Sequence, residues 1–238
     1  MTCRSRCRGK HGKPDVVLGG KGASHRLGKM LSDAKLLDWF SNLDLYKACR
    51  AFARLVASSI DRSYPIQDAL SHSERVAILA SAIGKRMNLP LAGVANLYLG
   101  GLLHDLGKLF IPADILLKKG VLDESERAVM RLHPVIGAKF LECQSFFKDL
   151  APVILHHHER IDGKGYPRGL AGEDIPLGAR LIGVAEAFDA MTASDSYRTP
   201  ISVEDAITVL VEHSGTQFDG GVVQALLEEL KQAGVTER

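Results

Sequence analysis

Apolar residues recur at helical spacing along most of this chain, and no alternating strand pattern persists in it. Residues 31–60 show the first such pattern, which predicts two helices before Pro65. Pro, Gly, Asp or Ser residues bound the later helical segments, which we predict at 66–88, 93–109, 124–132, 134–146, 149–159, 177–193, 202–213 and 219–233. The sequence therefore predicts an all-α fold, with two longer connections, 110–122 and 160–178, as candidate binding loops.

Positive charge is concentrated at the front of the chain. Residues 1–30 hold eight Lys or Arg residues against the single acid Asp15, a net +7, while the whole chain carries only +2. Because this segment has little apolar periodicity, we expect a basic, disordered tail at 1–30, followed by an N-terminal helical extension at 31–65 and one domain at 66–238. A solvated extension is the simplest interpretation of the tail, and binding to nucleic acid or a membrane surface is the alternative.

Cysteine content and hydropathy indicate the compartment. Four cysteines do not form a disulfide framework in a chain of 238 residues, and Cys3 and Cys7 lack two further partners for zinc. No apolar run approaches the roughly 20 residues needed to span a bilayer, and the basic N-terminus lacks the apolar segment of a signal peptide. We therefore expect a cytoplasmic protein without a membrane span.

Histidines and carboxylates recur at helix-length intervals, and such residues bind divalent metal ions where they converge. Asp68 and His72 are four residues apart and share one helix face. His104 and Asp105 end a strongly apolar segment, where an ionised Asp is costly to bury unless a cation compensates it. A metal ion would supply that compensation, and the alternative is a helix-end cluster in which Lys108 pairs with Asp105.

Four further histidines follow at two places in the chain. His133 precedes a proline between two helical segments, where a rigid backbone can aim the side chain. Three successive histidines then close the next helix. Because successive helical positions are about 100° apart, we expect His157 and His158 to face the site and His156 to lie outside the ligand set. The residues alone thus predict a metal-dependent hydrolase.

These residues occur in the order found in a known family. Residues 66–235 resemble the HD-GYP domain, a subgroup of the HD phosphohydrolase superfamily, in the motifs HSERVA at 72–77, LLHDLGKLFIP at 102–112, HPVIGAKFL at 133–141 and HHERIDGKGYPRGLAGEDIPLGARL at 157–181. The last motif is long and highly specific. The resemblance implies an all-α, HD-domain helical bundle, preceded in this chain by the N-terminal helical extension.

The resemblance also implies an activity and a set of site residues. Members of the family hydrolyse the bacterial messenger cyclic di-GMP to the linear dinucleotide or to GMP, and they hold two or three divalent ions, usually iron or manganese. By motif position, the catalytic residues are Asp105, which would bridge the ions, and Lys108, near the scissile phosphate. The implied metal ligands are Asp68, His72, His104, Asp105, His133, His157, His158 and Glu186. The implied substrate contacts are Lys108, Arg160, Lys164, Tyr166, Arg168, Asp189 and Arg198.

Two positions depart from the family pattern in the stretch AEAFDAMTASDSYR at 185–198. Glu186 replaces an Asp ligand, and its extra methylene moves the carboxylate by about 1.5 Å, with Asp189 as the fallback ligand. Asp195 stands where the family commonly has an Arg that contacts the dinucleotide. Loss of that charge-assisted contact is expected to weaken binding by about 1–3 kcal/mol.

The sequence leaves three functions in competition. The first is a phosphodiesterase on cyclic di-GMP. The second is an HD-type hydrolase of another nucleotide or phosphoester, which Glu186 and Asp195 favour, and the third is a non-catalytic regulator that binds nucleotide or protein. The near-complete ligand set favours an enzyme. We expect a cyclic dinucleotide substrate and regulatory protein partners of GGDEF or receiver type, and no nucleic-acid polymer as a partner.

Overall fold

The computed structural model describes residues 26, 51, 53–55, 70–193 and 199–236. These residues form helices and no strand, with two isolated bridges, Asp162 to Ala171 and Ser214 to Phe218. The α-helices are α1 (His72–Arg86), α2 (Leu91–Leu103), α3 (Ala113–Leu116), α4 (Glu124–Met130), α5 (His133–Glu142), α6 (Ala151–His156), α7 (Leu177–Thr192), α8 (Val203–Glu212) and α9 (Gly220–Gln232). Short 3-10 segments lie at Leu106–Phe110, Lys148–Leu150 and Gly172–Asp174. The prediction of an all-α fold is confirmed.

Local sequence signals fix where several helices begin. Ser71 and Glu74 form a capping box at the start of α1, which satisfies backbone N–H groups that the first turn leaves unpaired. Helices α5 and α6 instead carry proline in the first turn, where an N–H donor is not needed. Because His72 and His133 are the first residues of α1 and α5, these helix starts also place two candidate ligands.

Helix α1 lies at the centre of the bundle and packs against α2, α7 and α9. Gly101 in α2 allows a close approach, because a Cβ there would lie 2.4 Å from the Cα of Ala77 in α1. Leu79, Leu102 and Phe188 are large core side chains at this centre, and each is almost completely buried. The tight contact between α1 and α2 holds the C-terminal end of α2 in the interior.

Helix α2 ends earlier than the sequence predicts. We predict a helix over 93–109, but α2 ends at Leu103 and the 3-10 segment Leu106–Phe110 follows. Gly107 lies so close to α5 that a Cβ would be 1.9 Å from the carbonyl oxygen of His133. Packing against α5 thus overrides the local helical pattern, and the residues after Leu103 lie at a helix end.

The two long connections differ in the structure. The predicted loop 110–122 contains the short helix α3, which begins directly after Pro112. The predicted loop 160–178 contains only the 3-10 segment Gly172–Asp174 before α7 begins.

Every helix in the described ranges is too short or too polar to cross a membrane.

Most of the N-terminal part lies outside the described residues. This holds for the predicted tail at 1–30 and for most of the predicted extension at 31–65. Residues 53–55 within that extension are helical, and Ala53 is fully buried in the core. That short piece therefore packs onto the bundle.

Candidate metal centre

Helix ends bring most of the predicted ligands to one buried place. His72 and His133 begin α1 and α5, whereas His104 and His157 directly follow the last residues of α2 and α6. Glu186 comes from within α7. His104, His133 and His157 are at most 2 % exposed. The fold therefore gathers side chains from five helices.

The backbone holds three of these imidazoles in one orientation. In each, Nδ1 donates a hydrogen bond to the carbonyl oxygen three residues earlier, so Nδ1 carries a proton and Nε2 is left to face the cluster. The bonds are His104 to Gly101 at 2.8 Å, His133 to Met130 at 2.8 Å and His157 to Ile154 at 2.6 Å. Three Nε2 atoms are thereby presented as metal ligands.

A buried carboxylate orients His72 in a similar way. Asp189 accepts a hydrogen bond from His72 Nδ1 at 2.7 Å, and it also accepts from Arg75 Nε at 2.7 Å and Nη2 at 3.0 Å. Asp189 is 2 % exposed and outside the cavity wall. This geometry favours a role in holding His72, and it differs from the substrate contact and fallback ligation that we predict for Asp189 from the sequence.

The candidate ligands fall into two neighbouring groups. Each group offers three donor atoms that lie within 4.8 Å of one another. The first group is His133, His157 and His158, and the second is His72, His104 and Glu186. Asp105 contacts both, because its Oδ1 is 3.3 Å from His133 Nε2 and its Oδ2 is 3.4 Å from His104 Nε2. A carboxylate in this position can be shared by two cations.

Protein groups alone do not satisfy the polar atoms of this cluster. His104 Nε2 and Asp105 Oδ1 are buried and have no hydrogen-bond partner among the described residues. Each such group costs about 1–3 kcal/mol, and a divalent cation would satisfy both. Imidazole nitrogen and carboxylate oxygen together suit iron, manganese or zinc better than magnesium. The residues present therefore fit bound divalent ions.

Burial and neighbouring charge set the protonation of the cluster. Burial lowers the pKa of His157 and His158 and takes the pKa of His133 to about 3, so these imidazoles are neutral near pH 7. Burial opposes ionisation of Asp105, but the positive charge of Lys108 and the charge and hydrogen bond of His104 outweigh it and hold the Asp105 pKa well below its usual range. Neutral imidazoles beside an ionised carboxylate are suited to bind a cation.

His104 is the exception among the buried imidazoles. Burial lowers its pKa, but the carboxylates of Asp105 and Glu186 outweigh burial and raise the pKa to about 9. The same two carboxylates would stabilise a divalent cation, which would take the place of the proton at Nε2.

A cavity of about 420 Å³ reaches the cluster, a volume typical of ligand pockets. The cluster residues in its wall are His157, His158 and Glu186. The loop after α6 adds Arg160, Lys164 and Tyr166 to the wall. The Tyr166 ring stacks on His158, with centroids 4.8 Å apart and planes inclined by 25°. A substrate in this cavity would therefore contact both the cluster and the loop.

Glu159 holds this loop against the site. Its carboxylate accepts hydrogen bonds from the backbone N–H of Arg168 at 2.7 Å and of Leu170 at 3.2 Å. Arg160 donates to Gln217 Oε1 at 2.9 Å, which ties the loop to the segment before α9. Two neighbouring side chains at the start of the loop thus fix the wall of the cavity.

The structure places the remaining predicted residues as follows. Asp68, Asp195 and Arg198 lie outside the described residues. Lys108 lies beside the cluster and donates to Asp105 Oδ2 at 2.6 Å, the pairing expected for a helix-end cluster. The Arg168 side chain is exposed and outside the cavity wall, and its backbone N–H donates to Glu159. Its contact with substrate stays a prediction.

Sequence reasoning missed several polar residues of the site. Arg75 lies three residues after His72 on the same helix, a spacing that could have indicated a partner for a nearby carboxylate. Glu159 follows the three histidines directly, but nothing in its neighbours reveals its backbone partners. Arg131 and Arg180 also line the cavity. Arg131 comes from a segment without a recognisable signal, whereas Arg180 lies within the motif at 157–181, where we predict no role for it.

A family model described as HD domain matches residues 52–222. The chain is 40 % identical over 156 residues to the cyclic di-GMP phosphodiesterase response regulator RpfG of Xanthomonas campestris, which covers 65 % of this chain and 41 % of that protein. It is 36 % identical over 189 residues to the 3'3'-cGAMP-specific phosphodiesterase 3 of Vibrio cholerae, covering 79 % of this chain and 40 % of that protein. The chain thus spans about two fifths of the length of these relatives.

The fold is also similar to a crystal structure of a cyclic GMP-AMP specific phosphodiesterase of V. cholerae. The TM-score is 0.59 at 19 % identity, and the match covers 79 % of this chain and 51 % of that chain. At this identity the similarity shows the helical fold alone.

Proposed function

The chain belongs to the HD-domain family, and on that basis we propose that it is a metal-dependent phosphodiesterase that hydrolyses cyclic di-GMP to the linear dinucleotide or to GMP. Two three-residue ligand groups both contact Asp105, and a cavity reaches them. This observation carries the proposal. The HD-GYP motifs and the name of the Xanthomonas relative support the choice of substrate.

The two groups would hold two divalent ions, which we propose to be iron or manganese. Bound ions would neutralise phosphate charge and lower the pKa of a coordinated water. Asp105 would be shared between them, and the two groups would supply the other ligands. Asp68 stays a predicted ligand for a third ion.

The chain's own side chains would orient an anionic dinucleotide. Lys108 lies beside Asp105 with 21 % of its side chain exposed, so it can donate to a phosphate oxygen. Burial raises the pKa of Tyr166, which keeps its hydroxyl protonated and able to donate a hydrogen bond. Arg160 and Lys164 add positive charge to the same wall.

A second substrate, 3'3'-cGAMP, is favoured by one finding. The V. cholerae relative with that printed specificity matches 79 % of this chain. The two cyclic dinucleotides share the phosphodiester groups and differ in one base, so the same cluster would serve both. The full ligand groups argue against a non-catalytic regulator, whose cluster needs no such donor set.

We also propose a cytoplasmic setting with a regulatory partner of receiver or GGDEF type. The printed name of the Xanthomonas relative includes the words response regulator, which supports control by signalling proteins. Cys143 is a free, exposed thiol, which is stable in a reducing compartment.

The test is hydrolysis by protein that has been loaded anaerobically with Fe²⁺ or Mn²⁺. Wild-type protein should convert cyclic di-GMP to linear product, and chromatography measures this conversion. His104→Ala and Asp105→Ala should bind less metal and lose turnover on the order of 100-fold or more, because each removes a donor from the cluster. His213→Ala is the matched control, since His213 is exposed at the end of α8 and outside both groups.

Rates on 3'3'-cGAMP, measured with the same samples, separate the two substrates. A higher kcat/KM on 3'3'-cGAMP would favour the second candidate. Wild-type protein that binds metal but hydrolyses neither dinucleotide, or that binds no metal, would overturn the proposal.

A further inference from the structure

We propose that Arg131 binds the second phosphodiester of a cyclic dinucleotide, the one that does not lie at the metal cluster. This inference rests on the proposed function, because it assumes a substrate with two phosphodiester groups. It assigns a specificity-determining contact to a residue outside the histidine groups and outside the loop after α6.

Arg131 is fixed close to the cluster by its place in the chain. It follows the last residue of α4, and its backbone N–H donates to Arg127 O at 2.9 Å. His133, a candidate ligand, comes two residues later. The Arg131 side chain lines the same cavity as His158 and Glu186. A ligand that reaches the cluster through this cavity therefore passes the guanidinium.

Arg131 differs from the other arginines in this wall because those arginines are paired with carboxylates. Arg160 forms a two-point ion pair with Asp162, at 2.9 and 2.7 Å, and Arg180 pairs with Asp219. In the part of the chain that the structure describes, no carboxylate lies within 4 Å of the Arg131 guanidinium. Its charge is therefore available to an anion in the cavity.

An aromatic contact supports the guanidinium without using its hydrogen bonds. Arg131 Cζ lies 5.5 Å from the centroid of the Tyr166 ring, within the range of a cation–π contact. The Tyr166 ring in turn stacks on His158. The Arg131 side chain makes no hydrogen bond to the described residues, so its N–H groups can donate to a phosphate in the bidentate geometry of arginine.

The substrate's charge explains why this contact would matter. A cyclic dinucleotide carries one negative charge on each of two phosphodiester groups. Ions held around Asp105 would neutralise the group under attack, but the other group would still enter a partly enclosed cavity. A buried anion is costly unless a cation and hydrogen bonds compensate it, and Arg131 offers both.

The experiment compares two substrates in three variants of the metal-loaded protein. Cyclic di-GMP has two phosphodiesters, and bis(p-nitrophenyl) phosphate has one. In Arg131→Ala the KM for cyclic di-GMP should rise, because a charge-assisted contact is lost. This rise should exceed any rise in the KM for bis(p-nitrophenyl) phosphate by about tenfold or more. The KM of Arg131→Lys for cyclic di-GMP should lie between those of wild type and Arg131→Ala, since lysine keeps the charge but not the bidentate geometry.

Arg127→Ala is the matched control. Arg127 lies on α4, pairs with Glu124 and does not line the cavity, so its loss should leave the KM for cyclic di-GMP at the wild-type value. Metal content, measured for every variant, shows whether the cluster is intact.

Two results would overturn the inference. One is an Arg131→Ala KM for cyclic di-GMP equal to that of Arg127→Ala, and the other is an equal loss on both substrates. If wild-type protein hydrolyses no dinucleotide, the proposed function fails separately. Calorimetric titration of cyclic di-GMP into wild type and Arg131→Ala then decides, and equal affinities, or no binding to either, would overturn the inference.

Discussion

At the scale of single residues, Asp189 controls which nitrogen of His72 faces the cluster. In Asp189→Asn the carboxylate shared by His72 and Arg75 becomes a neutral amide, which holds the imidazole less firmly. We expect Mn²⁺ affinity to fall about 10- to 100-fold, as for other carboxylates that orient a ligand histidine. Calorimetric titration measures this affinity, with Asp205→Asn as control because Asp205 is an exposed residue of α8. Equal affinities would show that Asp189 serves only to pair Arg75.

The histidines and Asp105 could be proposed from the sequence because these residue types recur at helix-length intervals, and the family resemblance gave the complete ligand set. It could not predict the role of Asp189, since that role depends on a contact with Arg75 across 114 positions of the chain. Spacing reports which residues share a helix face, but not which faces meet.

At the scale of elements, the contact between the 3-10 segment and α5 positions His133. A Cβ at Gly107 would lie 1.9 Å from the carbonyl oxygen of His133, so Gly107→Ala must push the two elements apart. We expect the free energy of unfolding to fall by about 1–3 kcal/mol. Urea denaturation measures it. Gly93→Ala in α2 is the control, since its nearest neighbour is 3.7 Å away, and it should stabilise the helix by about 0.5–1 kcal/mol. A Gly107→Ala protein of wild-type stability would contradict the packing argument.

The loop after α6 should depend on Glu159. Glu159→Ala removes the acceptor for two backbone N–H groups of that loop, so the cavity wall loosens. We expect the KM for cyclic di-GMP to rise about tenfold, which corresponds to about 1.4 kcal/mol and is comparable to one hydrogen bond, with metal content near the wild-type value. Glu159→Gln, which keeps one oxygen acceptor, should recover part of the loss. Glu173→Ala in the same loop is exposed and serves as control. A change in metal content without a change in KM would count against this role.

Periodicity predicted α7 because apolar residues recur along its length. The cap at Asp123 instead marks the start of α4, which has no buried residue. It missed the end of α2 at Leu103 because the residues that follow keep a helical pattern, and the contact of Gly107 with α5 is not local. Helix α3 escaped prediction because its four residues are too few to show a period.

At the scale of the whole molecule, the helical class follows from sequence periodicity, but the convergence of five helices does not. The close approach of α1 and α2 depends on Gly101 against Ala77, a pairing that no local pattern specifies. The family resemblance supplied this convergence, since its motifs name the residues that meet. The predicted tail at 1–30 stays a prediction.

Because the candidate ligands meet only in the folded chain, bound ions should stabilise the whole bundle. At a free metal concentration 100 times Kd, binding adds about 2.7 kcal/mol if the unfolded chain does not bind. For a chain of this size, the midpoint of thermal unfolding should rise by about 5–10 °C. Calorimetry of EDTA-dialysed and Mn²⁺-loaded protein measures the rise. Asp105→Ala should reduce it, because the carboxylate between the two groups is lost. An equal rise in both proteins would mean that the ions bind elsewhere on the chain.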